Sequence, residues 1–350
     1  MAKRVGGGLL PESALAPLIV VLIAAIGASA VVAAGLGSVD LPPQTVIDIL
    51  RTKLTGAPTE VPPYLQQIFW ELRLPRILLA ALVGAGLSLA GVAIQGLVRN
   101  PIADPYVLGV SSGASIGAAF VLLFGGPLWL GNGAVTIAAF LTALGSMLLV
   151  YGLAQRNGTL EPLRLVLTGV VLSYVFSGVT SFLVFQGDPR AAQSVMFWLL
   201  GSFGRARWSS LLIPAVVVAF SSVILMIRGR QLDAMLTGDE SATTLGVPVR
   251  RLRLELFLLT AALTAVMVAV SGAVAFVGLV IPHVTRLLIG SLHRRVYPVA
   301  CLLGAAFMVL VDVAARSLAA PQEIPLGILT SVIGGPVFVL LMRHQLRGIS

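Results

Sequence analysis

The side chains able to do chemistry are few and scattered. Histidines stand at His283, His293 and His344, and none has a second ligand at H-x-x-x-H spacing, so no metal centre is indicated. The single cysteine, Cys301, lies in an apolar run. Alone it can form neither an intrachain disulfide nor a cysteine-built zinc site, and it reads as a small buried residue. The only lysines are Lys3 and Lys53, and neither follows a phosphate-binding loop of the form G-x-x-x-x-G-K-[ST]. Direct use of ATP by a Walker motif is therefore excluded, and no nucleophile–base set marks a catalytic residue. Asp312 is the clear acid within an apolar segment, and Arg316, one turn later, can pair with it on the same helix face. The densest polar stretch is "GRQLDAMLTGDESATTLGVPVRRLRLE", Gly229 to Glu255, where Asp233, Asp239 and Glu240 are bracketed by arginines.

The elements that must position these groups are membrane spans. The chain is 57% hydrophobic and 11% charged, against about 25% charged for a soluble domain. So few charges cannot cover a water-facing surface, and the composition reads as an all-α, polytopic membrane protein. Ten apolar segments are long enough, or nearly so, to cross. They are about Ala14–Leu36, Ile77–Val98, Val107–Gly125, Gly133–Ala154, Leu163–Phe185, Ser210–Ile227, Leu254–Ser271, Ala273–Ile289, Pro298–Leu318 and Leu326–Met342. The first is too long for a signal h-region and is read as a retained helix behind Lys3 and Arg4. "LVGAGLSLAGVAIQG" spaces Gly84/Ser88 and Gly86/Ala90 as small-xxx-small pairs, which predicts a second span enclosed by other helices. Three segments are expected to be structured between spans: "VIDILRTKL", the stripe Leu65, Ile68, Phe69, Leu72, and "AAQSVMFWLLG" as a half-inserted helix.

With both termini cytoplasmic, fourteen of the 23 lysines and arginines fall inside and eight outside, with Arg286 within a span. That excess fits the positive-inside rule and places the Gly229–Arg253 stretch in the cytoplasm. An ion-coupled secondary transporter needs acids deep in the membrane, and here the clear one, Asp312, is read as half of a structural ion pair with Arg316 near the membrane edge; a membrane enzyme needs a catalytic constellation, and none is visible. A permease whose motor is a separate subunit, docked on the polar insertion, accounts for the sparse intramembrane charge and the lack of a motor in this chain.

At "RLPRILLAALVGAGLSLAGVAIQGLVRNPIADPYVLGVSSGASIG" (Arg73–Gly117) the chain resembles the FecCD-type permeases, the membrane subunits of ABC importers for ferric siderophores, haem and cobalamin. "GDESATTLGV", "AVAFVGLVIPHVTRLLIGSLHRRVYP", "DVAAR" and "PQEIPLGILTSVIGGPVF" extend the resemblance from about Val39 to Met342. It implies a type II ABC importer permease fold: one transmembrane domain over residues 1–350, with a coupling loop at 229–253. The subunit would pair with a second copy of itself in the bacterial inner membrane. It would be embedded in lipid, with two ATPase subunits on the cytoplasmic face and a substrate-binding protein outside, and it would have no nucleic-acid partner. ATP and magnesium would sit on the ATPase, and no cofactor or metal on this chain. The cargo expected is an iron chelate, siderophore or haem, with cobalamin the alternative.

The resemblance also assigns residues. Leu236, Gly238, Asp239, Glu240, Leu245, Gly246 and Val247 would form two short coupling helices seated in a groove of the ATPase. Arg73, Arg76 and Arg316 would meet acidic groups of the binding protein, with Arg205 and Arg207 as further candidates. Leu160, Glu161 and Pro162 fall in the cytoplasmic gate region, where Glu161 and Pro162 depart from the small hydroxyl residues seen in relatives. "VIPHVTR" recurs in a family with unlike substrates. His283 and Arg286 are therefore expected to satisfy backbone carbonyls freed by Pro282 rather than to bind haem.

Overall fold

A computed structural model describes residues 8–37, 39–127, 131, 133–156 and 159–346; Lys3, Arg4 and Arg347 lie outside the described residues. Helices carry nearly all of it: α1 (Leu15–Gly35), α2 (Pro43–Thr55), α3 (Pro63–Gln67), α4 (Leu74–Val98), α5 (Val110–Phe124), α6 (Ala134–Ala154), α7 (Pro162–Gln186), α8 (Pro189–Leu199), α9 (Leu212–Met235), α10 (Asp239–Thr244), α11 (Val249–Ser271), α12 (Val277–Ile289), α13 (His293–Ser317) and α14 (Leu326–Leu346). Two-residue strands β1 (Gln155–Arg156) and β2 (Thr159–Leu160) form an antiparallel ribbon between α6 and α7.

Each of the ten expected apolar segments contains a helix. Among the described residues seven helical stretches are long and apolar enough to cross a membrane, while α5, α12 and the apolar part of α14 are shorter. The segments expected between spans are α2, α8, and α3 with a π-helical turn, Ile68–Arg73, that runs directly into α4.

Small residues put α4 at the centre. All but two of its residues from Ile77 to Leu97 away from Leu78 are buried, and it packs against α13, α11, α12 and α9. A Cβ on Gly84 would lie 2.0 Å from the Gly304 carbonyl oxygen of α13, and one on Gly91 only 1.8 Å from the Gly278 oxygen of α12. Backbones this close gain dispersion contacts that larger residues forbid. A second group, α5 with α6 and α7, uses the same device: Gly113 meets Ser146, and Gly117 meets Ala138 and Thr142.

The short helices have a physical cause. Left-handed backbone at Gly109 (φ 77°) precedes α5, Gly272 (φ 70°) ends α11, and Phe276 (φ 69°) begins α12. Broken backbone at membrane depth survives only where protein satisfies its polar groups. Here the turn after α8 is bonded to the end of α11 and the start of α14: Ser202 N–H donates to the Ser271 carbonyl at 2.8 Å, Leu326 N–H to Gly201 at 3.0 Å and Gly327 N–H to Leu200 at 2.8 Å. Tyr106 Oη accepts from Val274 N–H at 2.9 Å. Pro282 in α12 has no N–H, which frees the Gly278 carbonyl one turn earlier. Gln95 Nε2 donates to that carbonyl at 3.3 Å, and Arg286 Nη1 holds Gln95 Oε1 at 2.5 Å. Arg286 thus serves the freed carbonyl through a neighbour on α4, and the direct contact expected of it is replaced by this relay.

Candidate coupling and docking sites

The polar insertion lies at one end of the bundle. Its non-helical part is shorter than the expected Gly229–Arg253: α9 runs unbroken through Met235, and Val249–Arg253 opens α11. The two helix ends are tied by a bidentate pair, Arg228 Nε and Nη2 to Glu255 at 2.8 and 2.9 Å. That pairing lets both helices extend past their apolar windows. In place of two separate short helices, the insertion holds one, α10, beside the end of α9.

Glycine geometry makes the turn. Gly238 (φ 110°) leads into α10 and Gly246 (φ 79°) leaves it. These conformations are costly for any residue with a Cβ. Gly246 N–H donates to Thr243 and Val247 N–H to Ala242, closing the helix, and buried Ala242 and Val247 anchor it. Leu236 and Leu245 face outward, 50% and 70% exposed, and Glu240 is exposed. Asp239 is turned inward: its Oδ2 accepts from Arg253 Nη2 at 2.7 Å and its Oδ1 lies 3.4 Å from Arg99 Nη2.

Beside this insertion stands the β1–β2 ribbon. Leu160 is buried, Glu161 is the N-cap residue of α7 and pairs with Arg164 at 3.1 Å, and Pro162 occupies the first helical position. A cleft of about 670 Å³, lined by Tyr151, Gln155, Leu160, Thr243, Val247 and Arg251 among others, separates ribbon from insertion.

The three arginines assigned to docking gather at the opposite end of the bundle, and their hydrogen bonds run inward. Arg73, 7% exposed, donates to the Ala34 and Gly35 carbonyls at 2.5 and 3.1 Å and to Val39. Arg316 donates to Leu36 and Ala33 at 3.1 and 3.2 Å. Both therefore cap the carbonyl end of α1, where unsatisfied acceptors and the helix dipole favour cations. Arg76 pairs with buried Asp312 at 2.9 Å and with half-exposed Glu323 at 2.7 Å, and Arg316 Nε reaches Asp312 at 3.1 Å. The expected Asp312–Arg316 pair is present, and Arg76 makes it a triad. Arg205 and Arg207 are exposed nearby, on the loop whose Gly204 adjoins Glu323.

Sequence reasoning did not find Arg253, Arg99 or Gln95. Gln95 and Arg253 meet backbone carbonyls far along the chain, Arg99 meets an acid 140 residues on, and the Arg253–Asp239 pair forms only through the turn after α10. Only the presence of arginine or glutamine at helix ends and in a span could have drawn attention to them.

Residues 18–344 match the FecCD transport family. The chain belongs to that family. It is 38% identical over 321 residues to the molybdate import system permease protein MolB of Haemophilus influenzae, covering 91% of this chain and 93% of that one. It is 39% identical over 281 residues to the hemin transport system permease protein HmuU of Yersinia pestis, covering 79% and 84%. A solved structure described as an inward-facing conformation of a metal-chelate type ABC transporter superposes with a TM-score of 0.81 at 35% identity, over 94% of this chain and 99% of that chain. This FecCD protein is accordingly a multi-pass membrane subunit of an ABC transporter and not an enzyme, since ATP hydrolysis in such systems belongs to a separate subunit. Its α10 insertion and its arginine cluster lie at opposite ends of one FecCD bundle.

Proposed function

We propose that the chain is the permease of an importer that passes an iron chelate, haem or a ferric siderophore, from a binding protein outside to the cytoplasm. It works as a homodimer in the bacterial inner membrane with both termini cytoplasmic. Two ATPase subunits dock on Leu236, Gly238, Asp239, Glu240, Leu245, Gly246 and Val247, and Leu160, Glu161 and Pro162 belong to the cytoplasmic gate. The observation that carries this reading is a pair of large apolar side chains, Leu236 and Leu245, left exposed on an otherwise polar insertion. Exposed apolar groups with polar surroundings mark a protein-binding surface. Leu245→Asp leaves every span intact and is expected to reduce ATPase subunits retained on the purified chain by at least tenfold, read by quantitative gel densitometry. Wild-type retention would place the ATPase elsewhere.

Arg73, Arg76 and Arg316 mark the proposed binding-protein face. In this arrangement they fix α1 and Glu323, and the exposed Arg205 and Arg207 beside them supply free positive charge. Reversing Arg205 and Arg207 to Glu spares the buried triad. It is expected to weaken binding-protein affinity about tenfold at low salt, the scale of a desolvated interfacial charge pair. Equal affinities by surface plasmon resonance at low ionic strength would remove docking from this face. The MolB and HmuU likenesses carry two unlike cargo names, so cargo is assigned on the partner: titrating the binding protein with haem, ferric siderophores, cobalamin and molybdate tests the iron-chelate reading, and exclusive binding of either of the last two ends it.

A further inference from the structure

One side chain joins the insertion to the entry of α7. Arg253 projects from the start of α11 with 11% of its side chain exposed. Its Nη2 donates to Asp239 Oδ2 at 2.7 Å, on the first residue of α10. Its Nη1 donates to the Leu160 carbonyl at 3.4 Å, immediately before the N-cap residue of α7. Arg99, which ends α4 in a left-handed conformation (φ 52°), holds the other oxygen of Asp239 at 3.4 Å. The elements so joined differ in kind. α4 and α11 are largely buried inside the bundle, whereas α7 is largely exposed. A guanidinium can serve two acceptors at once because its donors form a rigid planar fork, which an ammonium group lacks. Ribbon and insertion both line the cleft, and the Arg253 fork joins Leu160 of the one to Asp239 of the other.

We infer that Arg253 is the positioning residue that carries displacement of α10 to the entry of α7. The inference rests on the permease reading, in which α10 meets the ATPase. A shift of α10 moves the Asp239 carboxylate. The guanidinium follows that charge, and the Leu160 carbonyl then either moves with its donor or loses it. Where the carbonyl follows its donor, the start of α7 changes position with α10 while α4 and α11 stay packed.

The test uses the purified complex of this chain with its ATPase subunits in a Cys301→Ser background. Spin labels at Thr244 and Leu163, both exposed, report the separation of α10 and the α7 entry before and after trapping with ATP and vanadate. Without further substitution the separation changes on trapping. Arg253→Gln is expected to retain ATPase and thermal stability while reducing that change at least threefold. Arg253→Lys keeps a charge beside Asp239 but not the second arm, and is expected to lose the change as well. If Arg253→Gln does not fold, Arg253→Lys decides the matter. A full-sized change in either folded variant makes Arg253 a brace only and overturns the inference. A parent chain that retains no ATPase overturns the permease reading and the inference together, whereas retained ATPase with movement independent of Arg253 overturns the inference alone.

Discussion

Replacing Gly91 with valine is expected to leave no correctly assembled bundle. The first carbon of the new side chain would fall 1.8 Å from the Gly278 carbonyl oxygen, well inside contact distance and against backbone rather than a flexible tip. Gly278 is equally tight, since a Cβ built there would lie 3.1 Å from the Leu87 carbonyl oxygen of α4, so neither helix has room to spare at this crossing. α4 must therefore separate from α12, and among the described residues its apolar stretch is the most buried of the seven long enough to cross. Separation also withdraws Gln95, one turn beyond Gly91, from the carbonyl that Pro282 leaves free. An unsatisfied carbonyl in a region without water costs several kcal/mol on its own. Gly145→Val is the control, since a Cβ there meets nothing within 4 Å. Size-exclusion profiles in detergent should show Gly145→Val monodisperse and Gly91→Val aggregated or absent. A monodisperse Gly91→Val chain melting within a few degrees of the parent would show that the helix crossing is looser than described.

Gly246→Pro is expected to abolish uptake while leaving membrane insertion untouched. The residue sits at φ 79°, and proline is confined near −65°. Proline also removes the N–H that Gly246 donates to Thr243. The turn that folds α10 back toward α11 can then no longer form, and the exposed Leu245 just before it is displaced. Gly246→Ala keeps the N–H and meets only the left-handed penalty of about 1–2 kcal/mol, so it should retain partial uptake. Both are measured in liposomes with the ATPase and loaded binding protein present. Gly246→Pro should show basal ATP hydrolysis that no longer responds to the binding protein, and cargo uptake at background. Normal uptake would mean that the ATPase engages another part of the chain.

Much of this arrangement is legible in the amino-acid sequence because hydrophobicity and backbone freedom are local properties. The apolar runs announce the spans, and the spacing of Gly84, Ser88 and Ala90 announces the enclosed helix. The lone polar insertion marks where α10 lies, though the family resemblance implies two short helices there. Three kinds of feature are not legible. Arg73 looks like a free outer-surface cation in sequence and Arg316 like a partner of Asp312, yet both also end on carbonyls of α1, and a backbone acceptor has no residue signature. Gln95 reads as an ordinary polar residue in a small-residue span until Pro282 is brought beside it by the crossing of α4 and α12. The limits of α9 and α11 extend beyond their apolar windows because Arg228 and Glu255 meet across helices. In each case the deciding partner lies far along the chain.

The mutual pairing of broken backbone has a consequence for biosynthesis. Leu200 and Gly201 emerge from the ribosome well before residues 326 and 327, yet their carbonyls take their donors from Leu326 and Gly327. Ser202 likewise waits for Ser271. The interior end of α8 therefore cannot reach its final bonding until the last helix has been translated and delivered to the bilayer. Until then those carbonyls must be served by water, lipid headgroups or the translocation machinery. A chain truncated before Leu326 is left incomplete at two places, its own end and the distant turn after α8.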